Sequence, residues 1–391
     1  MDILYMGYFC NEKVFNKLVE AGSHSSHARQ QLETKLLSGM IEERGNDSLA
    51  LISYLPEIAE VHRSVGEGEK YRDIDIKYVW CNKKNPLSVI AAMRENIRFI
   101  KEWAKGKKEK VVLTYSVNPI HVLPLYWLKK RYSIRVITLC SEVSVLRRKD
   151  NISFVSRISR KISSLLDNSF DGYVLLTPYM NEIVNRKNRP YLVMEGIASK
   201  IENNEMAEHH KAILYAGGLT EDNGIKILLE GFVKLNRSDI ELWICGEGPL
   251  EAVAREYADN HENIRFYGIV SNEKVQLMER EAMLLISPRF SNNIFTKYSF
   301  PSKTIEYMST GTPTVLTRLA GIPDEYFNYV YVLEEETAQG VEHLIGGILE
   351  QSPEERRKLG REAQDFVLQS KAPSTQARKV IQFMKQIIED K

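Results

Sequence analysis

Twelve short apolar runs, set off by turn residues and alternating with amphipathic stretches, limit what this 391-residue chain can fold into. In the first half they are Ile3 to Phe9, Ser48 to Tyr54, Ile76 to Trp80, Val111 to Tyr115, Arg135 to Leu139 and Gly172 to Leu176. Stretches of helical periodicity such as Ala28 to Arg44 and Leu87 to Ala104 lie between them. The second half repeats the alternation with Ala212 to Tyr215, Glu241 to Cys245, Ile264 to Phe266, Met283 to Ser287, Thr314 to Thr317 and Tyr329 to Val332. Strand alternating with helix predicts a mostly parallel sheet covered on both faces, here twice over: two Rossmann-like α/β domains in tandem. The polar run Ser199 to Lys211 has little to bury and reads as the linker. The expected domains are therefore residues 1–198 and 205–370, with Gln369 to Ser374 setting Thr375 to Asp390 apart as a final helix.

Composition excludes several classes. No apolar run reaches the roughly 18 residues a membrane span needs. The chain enters its first apolar run without a basic segment or cleavage site, so the expected compartment is the cytoplasm. Cys10, Cys81, Cys140 and Cys245 are far apart in or beside apolar runs, which fits buried free thiols rather than a metal site or a redox pair. The net charge of +1 conceals an asymmetry: residues 1–200 hold 32 Lys+Arg against 22 Asp+Glu, and residues 201–391 hold 21 against 30. The basic half can meet an anionic surface or substrate. Within it, Arg147-Arg-Lys149 leads into Asn151 to Leu166, whose helical periodicity carries Arg157, Arg160 and Lys161 on one face. This pattern suits a helix on an anionic leaflet, and equally a core-facing helix with a solvated basic side.

Phe300 to Val315 carries the most chemistry. Pro301 and Ser302 suit the first turn of a helix and Gly311 its end, so Lys303 and Glu306 lie near a helix N-terminus whose unpaired N–H groups favour an anion. Lys303 adds a full charge, and Glu306 can accept hydrogen bonds from sugar hydroxyls. A phosphate beside a ribose suggests a nucleotide. Two glycine turns follow strands of the same sheet: Gly217-Gly218 before the helix that starts near Gly224, and Gly246-Glu-Gly248 after Leu242 to Cys245. Glycines let backbone N–H groups approach a phosphate, and ligands of open α/β sheets collect beyond the carboxyl ends of the strands. Asp73-Ile-Asp75 spells a metal-binding DxD, but it has no nucleotide turns around it and is read as chance.

These motifs together resemble the nucleotide-sugar-binding domain of the GT4 family of retaining glycosyltransferases, which have the GT-B fold. The strand-Gly-Gly-Leu turn, Trp243-Ile-Cys-Gly-Glu-Gly248, Ile264-Arg-Phe-Tyr-Gly-Ile-Val270 and the Phe300 to Val315 block follow the family's order. The resemblance is strong over about residues 212 to 330 and thin before that. It implies two domains facing across a cleft, an acceptor domain at 1–198 and a donor domain at 205–370, with the helix at 375–391 crossing back to the first. It also implies that Glu306 holds the ribose. The first of the family's two glutamates falls on Tyr298, the second being Glu306, and its two diphosphate-binding cations fall on Gly218 and Asn223. Arg289 and Lys303 are the candidate replacement charges, in a PSK-x-x-EYM form of the motif that resembles bacterial polysaccharide transferases.

By the same resemblance, Val270 and its neighbours receive the base, with Lys274 nearby, and the loop 291–298 holds the sugar through Asn292, Asn293, Thr296 and Tyr298. Ala21 to His27 is similar to the acceptor-side loop, giving Gly22, Ser23, His24 and His27 as candidates, although helix capping is the simpler account of this segment. Glu142, at the end of the run 135–139, is the candidate polar group at the reaction centre, and His121 is the next. The activity implied is transfer of a hexose from a nucleotide sugar, UDP-linked by family frequency. The acceptor implied is a saccharide or polyprenyl-diphosphate-linked saccharide in capsule, exopolysaccharide or O-antigen assembly. No metal, cofactor or nucleic acid is expected, and the implied location is the inner face of the cell membrane. A UDP-sugar 2-epimerase on the same fold and a non-catalytic sugar-nucleotide-binding subunit are the alternatives. A dehydrogenase is disfavoured because neither turn spells GxGxxG with an acid about 20 residues on.

Overall fold

The computed structural model describes residues 1–23, 27–46, 48–65, 69–82, 84–106, 108–116, 119–141, 166, 169–198 and 210–390, with the backbone alone at 119 and 121. The chain forms two units, residues 1–197 with 373–391, and residues 198–372. In the first, the elements run β1 (Asp2–Gly7), α1 (Glu12–Glu20), α2 (His27–Arg44), β2 (Leu49–Pro56), α3 (Ala59–Ser64), β3 (Lys70–Tyr71), β4 (Ile74–Cys81), α4 (Pro86–Trp103), β5 (Lys110–Tyr115), α5 (Pro119–Leu128), β6 (Ile134–Cys140), β7 (Gly172–Leu175), α6 (Met180–Val184) and β8 (Tyr191–Val193). The strands form one sheet in the order β3-β4-β2-β1-β5-β6-β7-β8. All of its pairings are parallel except the short β3–β4 hairpin. Every residue of β5 is buried, as is all of β1 after Asp2, the pattern of central parallel strands and the reason they read as continuous apolar runs. Asp73, at φ 69°, makes the hairpin turn, and Asp75 pairs with Lys70 across it, so the Asp-Ile-Asp spelling is turn chemistry.

The second unit continues with β9 (His210–Ala216), α7 (Ile225–Leu235), β10 (Glu241–Cys245), α8 (Glu251–Asn260), β11 (Ile264–Gly268), α9 (Asn272–Glu281), β12 (Ala282–Ser287), α10 (Ser302–Thr310), β13 (Thr314–Thr317), β14 (Tyr331–Leu333), α11 (Ala338–Glu350) and α12 (Pro353–Ser370). Its sheet, in the order β11-β10-β9-β12-β13-β14, is parallel throughout. His210 and Lys211, read as the end of the linker, already belong to β9: both are exposed, a polar extension of a strand whose remaining residues are buried. Residues 199–209 lie outside the described residues. The last strand starts at Tyr331, not Tyr329, because the Tyr329 ring stacks on Phe366, 4.6 Å between centroids.

The final helix, α13 (Pro373–Glu389), belongs to the first unit. Its spacing puts Ala377, Val380, Ile381, Met384 and Ile387 on one buried face, in the core shared with Leu36, Leu37 and Met40 of α2. Arg378 forks onto the Glu43 carboxylate at 2.6 and 3.0 Å. Gly39 is where α2 meets the start of α13, since a Cβ there would overlap the Pro373 carbonyl.

Candidate functional site

Strand order locates the site before any side chain does. In the second sheet β9 lies centrally, with β10 and β11 on one side and β12 to β14 on the other, so the order reverses between β9 and β12. A crevice opens at the carboxyl ends of such a strand pair. The segments that leave those ends are Gly217-Gly218 after β9 and Pro288-Arg289 after β12.

The first turn is held from within. Gly217 N–H donates to the Cys245 carbonyl (3.0 Å), so it is not available to a phosphate, while Leu219 N–H donates to the Glu247 carbonyl (2.9 Å). The Tyr215 hydroxyl and the Asn223 amide both donate to the Gly218 carbonyl, at 2.7 and 2.8 Å. Asn223, at a position where a cation was expected from the resemblance, thus braces the turn. The second turn packs on the first: Gly246 sits at φ 138°, and a Cβ there would overlap the Gly217 carbonyl oxygen. Its N–H donates to Gly268 (2.8 Å). Gly248 lies against the Leu219 carbonyl in the same way. Close packing of the two turns accounts for both glycines.

Arg289 follows β12 into this crevice. Its Nε is buried without a hydrogen-bond partner, and burial lowers its pKa against the opposing influence of Asp222 and Tyr215. The guanidinium therefore stands beside the turn that carries Gly218 and Asn223.

Helix α10 presents its N-terminus here. Its N-cap is Pro301, which makes no side-chain cap bond, and Ser302 and Lys303 are the first helical residues. The Tyr307 hydroxyl accepts from Ala216 N–H (3.0 Å) and donates to Ala216 C=O (3.2 Å), pinning α10 to the end of β9. Lys303 Nζ lies 3.1 Å from Glu279 of α9 and 3.2 Å from Glu306, and 5.4 Å from the centroid of the Tyr307 ring. Burial works against the lysine's charge, but the two carboxylates outweigh it and hold its pKa above the ordinary value. Glu279 is fully buried, and its own pKa is pushed up to about 7 by that burial, with Lys303 opposing and Glu306 adding to the rise.

The remaining candidates divide. Val270 is half-buried against the apolar cluster of Val275 and Met278, and next to it Tyr267 and Ile269 are exposed, with Lys274 Nζ 5.8 Å from the Tyr267 ring centroid. Asn292 is exposed and Tyr298 is half-buried under Lys297. Thr296 is buried, and its hydroxyl bonds the carbonyls of Asn293 (2.7 Å) and Ser291 (3.2 Å), so it ties the loop and faces no sugar. Asn293 Oδ1 is likewise occupied, accepting from Phe295 N–H (3.0 Å).

In the first unit, Gly22 and Ser23 end α1: with Gly22 at φ 75°, their N–H groups donate to Val19 and Leu18 carbonyls at 2.9 Å each. This is the glycine-terminated helix end, which accounts for both small residues. The His27 ring packs edge-on against Phe15 at 4.7 Å. His24, Glu142, the His121 side chain and the basic stretch 147–165 lie outside the described residues. Among the described residues no helix is long and apolar enough to cross a membrane, and the four cysteines are buried and joined by no disulfide.

Glu279, Tyr215 and Tyr307 did not emerge from the sequence. For Glu279 a signal existed: Val275, Met278, Glu279 and Ala282 fall at i, i+3, i+4 and i+7, which puts a carboxylate on a buried helix face.

Residues 197–366 match the family model described as glycosyl transferases group 1. No curated protein has a significant sequence match to the chain. Among solved structures, a glycosyltransferase from Rickettsia africae ESF-5 is similar at TM-score 0.68 and 15% identity, over 100% of this chain and 99% of that one. Sucrose-phosphate synthase from Thermosynechococcus elongatus is similar at 0.64 and 13%, over 100% of each chain. Anabaena Alr3699/HepE, solved in complex with UDP-glucose, is similar at 0.63 and 11%, over 99% and 100%. At these identities the likeness is one of fold. The chain thus has the two parallel-sheet units of the GT-B fold, and within it residues 197–366 are similar to glycosyl transferases group 1.

Proposed function

We propose that the chain is a retaining, metal-independent hexosyltransferase that uses a nucleotide sugar. The observation that carries this reading is the meeting of an uncapped helix N-terminus, Lys303, Glu306 and Arg289 at the crevice of the second sheet. Transfer leaves a nucleoside diphosphate whose growing charge must be stabilised. Gly218, Ser302 and Lys303 N–H groups, with the Arg289 and Lys303 side chains, would do so, and a diphosphate oxygen would take the acceptor's proton on the same face. UDP is the favoured nucleotide, supported by the UDP-glucose bound to the Anabaena structure. The acceptor is proposed to be a saccharide, lipid-diphosphate-linked, in surface-polysaccharide assembly at the inner face of the membrane. The excess of cations in residues 1–200 supports this.

The test is donor turnover. Glu306→Ala should lower transfer from UDP-glucose by about 10²-fold or more, the scale of losing one group that serves the transition state. Lys303→Ala should do the same when combined with Glu279→Gln, which avoids leaving a buried charge alone. Circular dichroism should show both variants folded, and full activity in either would sink the site assignment. The non-catalytic subunit is favoured by Gly218, Asn223 and Tyr298, where the resemblance expected two cations and a glutamate. Slow hydrolysis of UDP-glucose by the wild-type protein, absent in Glu306→Ala, would exclude it.

A further inference from the structure

The Lys303 ion pair has an unequal pair of partners. Glu306 is part-exposed and can turn to other donors, whereas Glu279 is fully buried and, among the described residues, its carboxylate is paired with Lys303 only. Its Oε1 accepts from Lys303 (3.1 Å), and its Oε2 has no hydrogen-bond partner. The nearby Thr312 hydroxyl goes to the Glu279 backbone carbonyl and gives the carboxylate nothing. Among the described residues, the charge on Glu279 is thus sustained by Lys303 alone. A nucleotide sugar brings a diphosphate with two negative charges to the same ammonium group, which already faces two carboxylates. Sharing Lys303 removes what keeps a buried carboxylate ionised.

Building on the nucleotide-sugar reading, we propose that Glu279 is a positioning residue that holds Lys303 in the empty site and takes up a proton from solvent when the donor diphosphate engages that lysine. The proton would bind the Glu279 carboxylate, and the rise in local negative charge would be cut by one.

Among the groups around it, Glu279 is the carboxyl that burial raises to about 7. From α10 it faces Lys303, Glu306 and Tyr307, and from β10 Cys245; burial raises both Tyr307 and Cys245, the latter to about 11. Lys274, on its own helix, acts on Cys245. From β9 and β12 the same cluster receives Ala212, Leu214, Ala216, Ala282 and Leu285, all apolar. His210 stands at the start of β9 against the Trp243 ring, 5.4 Å between centroids.

The experiment is calorimetric titration of the full chain with UDP-glucose, GDP-mannose and ADP-glucose, whose diphosphates carry no group titrating near neutrality. Each is run at pH 7.5 in buffers of different ionisation enthalpy, then across pH 6 to 8.5. The expected result is net uptake of most of one proton, with affinity falling by up to about tenfold per pH unit above pH 7. Glu279→Gln, which imitates the protonated acid, should abolish the uptake and bind at pH 8.5 about as tightly as the wild type does at pH 6. Binding without proton uptake, or uptake that persists in Glu279→Gln, would overturn the inference and leave the nucleotide-sugar reading intact. Failure of all three sugars to bind would overturn that reading, and this inference with it.

Discussion

Glu33 shows how one buried carboxyl group sets a pH dependence. It lies on α2 under the end of β1, where its Oε2 accepts from the Tyr5 hydroxyl (3.0 Å) and from Tyr8 N–H (2.8 Å). Arg29 comes no nearer than 3.9 Å, and Oε1 has no hydrogen-bond partner. Gly7 makes room for it, since a Cβ at that position would overlap the carboxylate. Burial pushes the carboxyl up from 4.5 to about 7, against the bonds from Tyr8 and the charge of Arg29. Because the folded value lies above the unfolded one, the folded chain holds the proton more tightly between these limits. Stability is therefore greatest below about pH 4.5 as far as this group is concerned, falls as pH rises towards 7, and stays lower beyond. The total is about 3 kcal/mol. Glu33→Gln should remove most of that slope and leave the chain more stable than the wild type at pH 8, read from urea midpoints. Equal slopes in the two proteins would show that Glu33 is ionised at no cost. The residue escaped the sequence reading although it shares a helix face with Leu36, Leu37 and Met40, because a Glu in a helical stretch is most often solvated.

At the scale of elements, the strands and helices were readable because their periodicity is dictated by the sheet: β10 and β13 have the bounds that the apolar runs gave. The two-residue β3 and three-residue β8 were not, since so short a run carries no period. The glycine turns were legible as turns but not in their cause. Gly246 and Gly217 touch through backbone, a contact that no spacing along the chain encodes. Gly246→Ala combines a left-handed φ of 138° with overlap on the Gly217 carbonyl, so the turns must part. The substitution should cost more than about 2 kcal/mol and lower nucleotide affinity at least tenfold. Gly22→Ala provides the contrast, for nothing lies within 4 Å of its Cβ and only the φ of 75° opposes it. That variant should lose about 1 kcal/mol and keep its nucleotide affinity. Thermal shift with and without nucleotide separates the two, and equal effects would mean that the glycine contact does not shape the site.

For the whole molecule, the chain order and the spatial order disagree at one point. The first unit spans residues 1–197 but is completed by 373–391, so 175 residues of another unit are made before its last helix. The sequence marks α13 as a separate helix through Pro373 and the family resemblance sends it back to the first unit, where it belongs, but the contacts that receive it, on α2 and on β7 where Gly172 meets Phe383 and Ile387, lie in tertiary packing. Five large apolar side chains on α13, Val380, Ile381, Phe383, Met384 and Ile387, are buried in the first unit's core. At about 1.5–3 kcal/mol each, their burial contributes on the order of 10 kcal/mol. A whole domain is typically stable by only 5–15 kcal/mol, so the first unit should not remain folded without this helix. The second unit keeps its own cores on both faces of its sheet and loses none of these contacts. A chain ending at residue 372 should therefore exchange amide hydrogens freely throughout β1, β5 and β6 while β9, β10 and β12 stay protected. Adding a peptide of residues 373–391 in trans should restore protection to the first unit alone. Protection of β1 and β5 in the shortened chain would show that α13 is an attachment to an already stable unit; loss of protection in β9 would show that the two units fold as one.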